Sequence, residues 1–282
     1  MQILRTVDEL RSWSRGERCR KKGLSGLVPT MGALHDGHAS LICAAAQQCP
    51  GRVAVSIFVN PTQFGPNEDF ARYPRTFGAD SDLAERSGAS VIFAPSVDEM
   101  YPSGAATFVD VEGLNERLDG KSRPGHFRGV ATVVAKLLIA AETDLAFFGQ
   151  KDAAQVSVLR RLVADLRLAT KLVICPIVRE ADGLAMSSRN VYLSADERRQ
   201  ALVLNRAIRY VEELVASGER ESSALAEAAR LIFSEEPMVR PDYVELVNWE
   251  TLLPVNTAVP GTLFAVAAWV GNTRLIDNTI IL

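Results

Sequence analysis

Histidine is scarce in this chain: 282 residues contain only His35, His38 and His126. The four cysteines, Cys19, Cys43, Cys49 and Cys175, form no Cys-x-x-Cys pair and no ladder of spacings. That argues against a disulfide scaffold and a cysteine-based zinc site. Neither sign of charge dominates, since 31 Lys and Arg face 34 Asp and Glu for a net charge of −3. A surface built for nucleic acid or acidic lipid is therefore not expected. No apolar run is long enough to span a bilayer, and the start, Met-Gln-Ile-Leu-Arg-Thr-Val-Asp, has no apolar signal core. Both point to a cytoplasmic protein. Internal repeats, low-complexity stretches and a disordered linker are also lacking. The densest basic run, Arg15 to Lys22, reads as a solvated helix face.

What is present is an ordinary globular composition, 48% apolar and 23% charged, in a pattern of alternating strands and helices. Apolar runs at 26–29, 53–59, 90–94, 145–148 and 172–175 read as buried strands. Amphipathic segments at 39–48, 77–87, 130–141 and 153–166 lie between them. Such alternation predicts an α/β fold, a Rossmann-like doubly wound parallel sheet covered on both faces. Ligands in these sheets bind outside the carboxyl ends of the strands. Three polar loops, 29–38, 60–64 and 149–152, fall on that edge. Beyond about Ile177 the pattern becomes two helices, 194–215 and 222–233, then three strands, 243–249, 263–270 and 275–282. Ser194 and Glu197 form a capping-box signature at the first helix. The expected division is a nucleotide-binding domain at 1–177 and a smaller α+β domain, a lid, at 178–282.

The run Pro29-Thr-Met-Gly-Ala-Leu-His35-Asp-Gly-His38 places two of the three histidines where a strand hands over to a helix. Glycine permits close backbone approach, and the helix start offers free N–H groups to an anion. Two imidazoles there could donate to a phosphate as charge builds. They could also be polar loop residues or zinc ligands, although no carboxylate or thiol pattern nearby completes a ligand set. Four further segments carry donors suited to anions or substrate oxygens. Asn60 and Gln63 end the second strand, and Arg123 to Arg128 includes His126. Lys151 follows Gly149, and Ser187-Ser188-Arg189 closes a polar stretch. Taken singly, each could be a solvated turn; together they surround one expected cleft.

Six segments resemble the pantothenate synthetase (pantoate–β-alanine ligase) family of HxGH nucleotidyltransferases. They are Pro29–His38, Ser56–Phe64, Tyr73–Thr76, Arg123–Val130, Phe148–Asp152 and Asp182–Asn190, end to end and in order. The resemblance implies ATP-dependent joining of pantoate to β-alanine through a pantoyl adenylate, with release of AMP and pyrophosphate, in a homodimer. It implies ATP contacts from Met31, Gly32, Ala33, Leu34, His35, Asp36, Gly37 and His38, and from Gly149, Gln150, Lys151, Asp152, Val178, Met186, Ser187, Ser188 and Arg189. Of these, His38, His35, Lys151, Ser187, Ser188 and Arg189 would stabilise phosphate charge. Substrate contacts are implied from Pro29, Asn60, Gln63, Tyr73, Arg123, His126 and Gln155. Magnesium would accompany the phosphates, with Asp80 touching it directly or through water. Two departures stand out: Ala154 precedes Gln155 where the family often has another glutamine, and the segment before Asp144 lacks a proline often seen there. Another HxGH adenylyltransferase would share the histidines without needing Gln63 and Gln155. A nucleotide-binding protein without catalysis would have no need of His35, His38, Lys151, Ser187 and Arg189.

Overall fold

The computed structural model describes residues 1–20, 23–66 and 68–282. It divides into two compact units: Met1–Gly149 with Val158–Cys175, and Gln150–Ser157 with Pro176–Leu282. The expected division at 177/178 is thus two residues late. It also differs at Gln150–Ser157, which group with the second unit although the helix starting at Ala153 runs on into the first.

In chain order the first unit contains β1 (Gln2–Leu4), α1 (Val7–Arg20), β2 (Gly26–Thr30), α2 (Asp36–Gln48), β3 (Val53–Ile57) and α3 (Phe77–Arg86). Then come β4 (Val91–Phe93), α4 (Val97–Met100), α5 (Asp119–Ser122), α6 (His126–Ala141), β5 (Leu145–Gly149), α7 (Ala153–Asp165) and β6 (Lys171–Cys175). The six strands pair in parallel in the order β1-β4-β3-β2-β5-β6. The order reverses between β2 and β5, the topological switch point where such sheets bind ligands. Here β2 matches β3 over five residues but β5 over only two, Gly26 to Leu145 and Leu27 to Ala146. The two strands part toward their carboxyl ends. Val28, Ile42, Val55, Ile92 and Phe147 are fully buried between sheet and helices. Each such side chain contributes about 1.5–3 kcal/mol by leaving water.

β1, α4 and α5 were not foreseen, and α1 begins well before the helix face read from Arg15. At β1 the chain adds a three-residue edge strand beside β4. Arg15 on α1 is exposed and pairs with Glu142 at 3.1 Å. The end of the basic run, Lys21 and Lys22, and the side chains at 18–20 lie outside the described residues. Cys43, Cys49 and Cys175 are free thiols.

The second unit holds α8 (Ala195–Ala201), α9 (Val203–Ala216), α10 (Ser222–Ser234) and an antiparallel sheet of β7 (Val239–Asn248), β8 (Thr262–Val270) and β9 (Thr273–Ile280). The expected capping box forms: Glu197 N–H donates to Ser194 Oγ at 3.3 Å, and Ser194 N–H donates to Glu197 Oε2 at 2.8 Å. The single helix expected over 194–215 is two. Leu202 keeps helical dihedrals, but its N–H reaches the Arg199 carbonyl, a tighter three-residue bond that interrupts the α ladder. Apolar faces of α9 and α10 pack on the sheet through Ile208, Val211, Phe233, Phe264 and Val266.

Candidate active site

In the first unit the loop after β2 turns through two left-handed residues, Gly32 (φ 85°) and Ala33 (φ 51°). Asp80, only 2% exposed on α3, holds this turn. Its Oδ2 accepts from Ala33 N–H at 3.0 Å, and its Oδ1 from Leu34 N–H at 2.8 Å and the Thr76 hydroxyl at 3.0 Å. A side chain at Gly32 would press on the same carboxylate, its Cβ lying 3.1 Å from Oδ2. Among the described residues no group of three His, Cys, Asp or Glu side chains could hold a metal. Asp80, expected to touch magnesium, is held here as the anchor of the loop by three donors.

The helix expected from Ala39 starts three residues earlier, so His38 lies inside its first turn and His35 is its N-cap. Gly37 N–H donates to His35 Nδ1 at 3.1 Å, and His35 N–H donates to His38 Nδ1 at 3.3 Å. An Nδ1 that accepts an amide carries no proton, so each ring holds its hydrogen on Nε2. Their centroids are 4.1 Å apart. The positive end of α2 lies at this place, with Asp36 exposed in the first helical turn. A helix start of this kind attracts anions.

The loop after β3 is built around Asn60, which is almost wholly buried. Its amide donates to Gln63 Oε1 at 2.9 Å and to the Gly129 carbonyl at 3.1 Å. Its oxygen accepts from the hydroxyls of Thr62 at 2.9 Å and Tyr101 at 2.8 Å. Burial raises the Tyr101 phenol above its ordinary range. Gln63 is left with its amide nitrogen on Met31 Sδ at 3.0 Å. A thioether accepts weakly, so a substrate oxygen could replace it at small cost. Pro29, at the end of β2, is half-buried.

Arg123 and His126, expected to touch substrate, lie beside Gln63 and brace it. Arg123 grips Glu68 with two bonds, 2.7 and 2.6 Å, and its Nη1 lies 2.9 Å from His126 Nε2. His126 Nδ1 lies 2.8 Å from the Gln63 carbonyl. Burial, then the neighbouring Arg123 charge, pushes the His126 pKa down to about 4. The neutral ring thus donates through Nδ1 and accepts through Nε2. Burial raises Glu68, but hydrogen bonding and charge from Arg123 outweigh it and keep the carboxyl below its ordinary value. Tyr73 is buried, edge-on to Phe64 at 5.9 Å between centroids. Glu68, Tyr101 and Asp80 in its anchoring role carry no motif that sequence reading could have used. They act through partners 39 to 55 positions away.

In the second unit the Gln150-Lys151-Asp152 turn rests on Asn278, whose amide donates to the carbonyls of Gln150 (3.1 Å) and Lys151 (2.9 Å). Among the described residues the Lys151 ammonium has no side-chain partner, and Gln155 follows half-buried on α7. Val178 and Met186 close a hairpin, Met186 N–H to Val178 carbonyl at 3.0 Å. Inside it Arg179 pairs with Asp277 at 2.6 and 3.0 Å. Ser187 caps the next turn by accepting Arg189 N–H at 3.3 Å, with Ser188 between them. Asn190 secures that turn through Glu180 at 2.6 Å and the Ala185 carbonyl at 3.1 Å.

A parallel sheet with a His-x-Gly-His helix start beside its switch point defines an HxGH-type nucleotide-binding enzyme. Within that class the chain belongs to the pantoate–β-alanine ligase family, whose model matches residues 2–280. A pantothenate synthetase of Acidobacterium capsulatum is 56% identical over all of this chain and 97% of its own length. The crystal structure of pantothenate synthetase from Thermus thermophilus superposes with a TM-score of 0.93 at 44% identity, covering 99% of both chains. A pantoate–β-alanine ligase from Francisella tularensis, crystallised with β,γ ATP and β-alanine, gives 0.78 at 32% identity, covering 99% of this chain and 97% of its own.

Proposed function

We propose that this chain joins pantoate to β-alanine with ATP, forming pantoyl adenylate and releasing pyrophosphate and then AMP. The observation that carries the reading is the histidine-capped start of α2, which presents two Nε2–H imidazoles where an α-phosphate would sit. Full-length relatives named for this activity support it.

Carboxyl groups ionise near pH 4, so pantoate arrives as its carboxylate and needs no base to attack phosphorus. The barrier lies in bringing two anions together and in charge gathering on phosphate oxygens. His35 and His38 answer it with hydrogen bonds at the α-phosphate. Lys151, Ser187, Ser188 and Arg189 would take the remaining phosphate charge. Gln63 and Gln155 would hold pantoate by amide hydrogen bonds. In the second step the neutral amine of β-alanine attacks the acyl carbonyl, the C–O bond to AMP breaks, and the amine proton passes to solvent. Magnesium would enter with the phosphates, as part of the metal–ATP substrate.

Incubated with ATP, pantoate and labelled pyrophosphate but no β-alanine, the enzyme should form labelled ATP. Absence of exchange would overturn the adenylate route. A homodimer and a cytoplasmic location complete the proposal; sedimentation of a monomer alone at micromolar concentration would refute the first.

A further inference from the structure

Adjacent residues on a strand project to opposite faces. On β9 two such neighbours, Asp277 and Asn278, are both polar and both almost completely buried, at 2% and 3% exposure. They lie opposite Val266 and Ala265 of β8, in the middle of the second unit's sheet. Buried polar groups are costly unless their hydrogen bonds are made, and these are made on segments that carry the phosphate-charge candidates.

Asp277 takes the Arg179 guanidinium in a two-bond fork, and its Oδ1 also accepts Asn278 N–H at 2.8 Å. Arg179 in turn donates to the Gly183 carbonyl at 3.1 Å, closing the hairpin that leads to Ser187. Asn278 uses both amide hydrogens, on the Gln150 and Lys151 carbonyls, and accepts from Gln150 Nε2 at 3.2 Å. The network leaves its amide a single orientation.

We infer that Asp277 and Asn278 are positioning residues: from two faces of β9 they hold the Lys151 turn and the Ser187–Arg189 hairpin in one fixed relation, so that both meet a single polyphosphate. Each acts through the residues it holds, at a depth no substrate reaches. The inference rests on the phosphate role proposed for Lys151.

A double-mutant cycle on the full chain tests it, read by pantoate-dependent pyrophosphate–ATP exchange. Asn278→Ala should lower kcat about 10- to 100-fold, the scale of a displacement near 1 Å at a charge-stabilising group. KM for pantoate should move by less than about twofold. In the Lys151→Ala background the same substitution should cost less than about twofold, because residues acting through one another are not additive. Equal losses in both backgrounds, or a wild-type rate for Asn278→Ala, would overturn the inference while leaving the role of Lys151 intact. A wild-type rate for Lys151→Ala would remove that role and the inference with it. Should Asn278→Ala not fold, Asn278→Ser, which keeps one donor, goes through the same cycle with the same criteria.

Discussion

The chemistry of His35 and His38 depends on what their Nδ1 atoms accept. Each takes a backbone amide of the helix start, so neither ring can rotate without breaking the cap, and each keeps its proton on Nε2. Removing one preorganised donor from a charge-stabilising site costs about 10²–10³ in rate. His38→Ala should therefore slow pyrophosphate exchange by that factor while retaining a cooperative thermal transition. A rate within a few-fold of wild type would show that the ring takes no part. Ala33 belongs to the same scale. Its left-handed backbone is tolerated because Asp80 accepts both its N–H and the next. The sequence signalled the glycines and histidines of this turn but not its strap, since an aspartate one turn into a helix says nothing of the distant amides it will accept.

Between elements the decisive contact is α6 on the turn after β3. Gly129 has no side chain because none fits: a Cβ there would lie 2.3 Å from the Thr62 carbonyl oxygen and 2.6 Å from Gln63 Cα. The backbone atoms it meets cannot swing aside as a side chain would. Gly129→Ala should destabilise the protein by about 1–3 kcal/mol, the usual range for overpacking. It should also raise KM for pantoate more than KM for ATP, since Gln63 moves first. Denaturant unfolding and initial-rate kinetics measure the two effects, and unchanged values in both would contradict the packing account. Strands and helices were legible wherever apolar periodicity ran for a full element. They were less so at β1, three residues at a sheet edge, and at the start of α2, where His-Asp-Gly resembles a loop. The contacts of Arg123 with Glu68 and of His126 with the Gln63 carbonyl escaped for a related reason. Cations beside glycines suggest an anion, and only the fold brings Glu68 to Arg123.

For the whole molecule, His126 couples folding to pH. Unfolded, its pKa is near 6.5; folded, burial and Arg123 lower it to about 4. Between those values the unfolded chain binds the extra proton, so the contribution is complete above pH 6.5 and disappears as pH falls toward 4. A shift of this size corresponds to about 3 kcal/mol by pH 4. Glu68, lowered by Arg123, loses its contribution further down, as pH drops below its unfolded value. Denaturation midpoints should fall steeply between pH 6.5 and 4. In His126→Asn, whose amide can still reach the Gln63 carbonyl, the slope should be shallower. Equal slopes would remove the histidine as the cause. The α/β class and order of elements were readable across this scale. The grouping of Gln150–Ser157 with the C-terminal residues was not, because α7 runs through that boundary without a change of composition.

The short match between β2 and β5 has a mechanical consequence. Five rungs join β2 to β3 and five join β5 to β6, whereas two join β2 to β5, both at the amino ends. Past the second rung nothing in the sheet itself ties β2 to β5, so the groove beside the histidines is opened by strand divergence. Packed on both strands, with Ile42 in the same core as Val28 and Phe147, α2 is the strut that spans the gap.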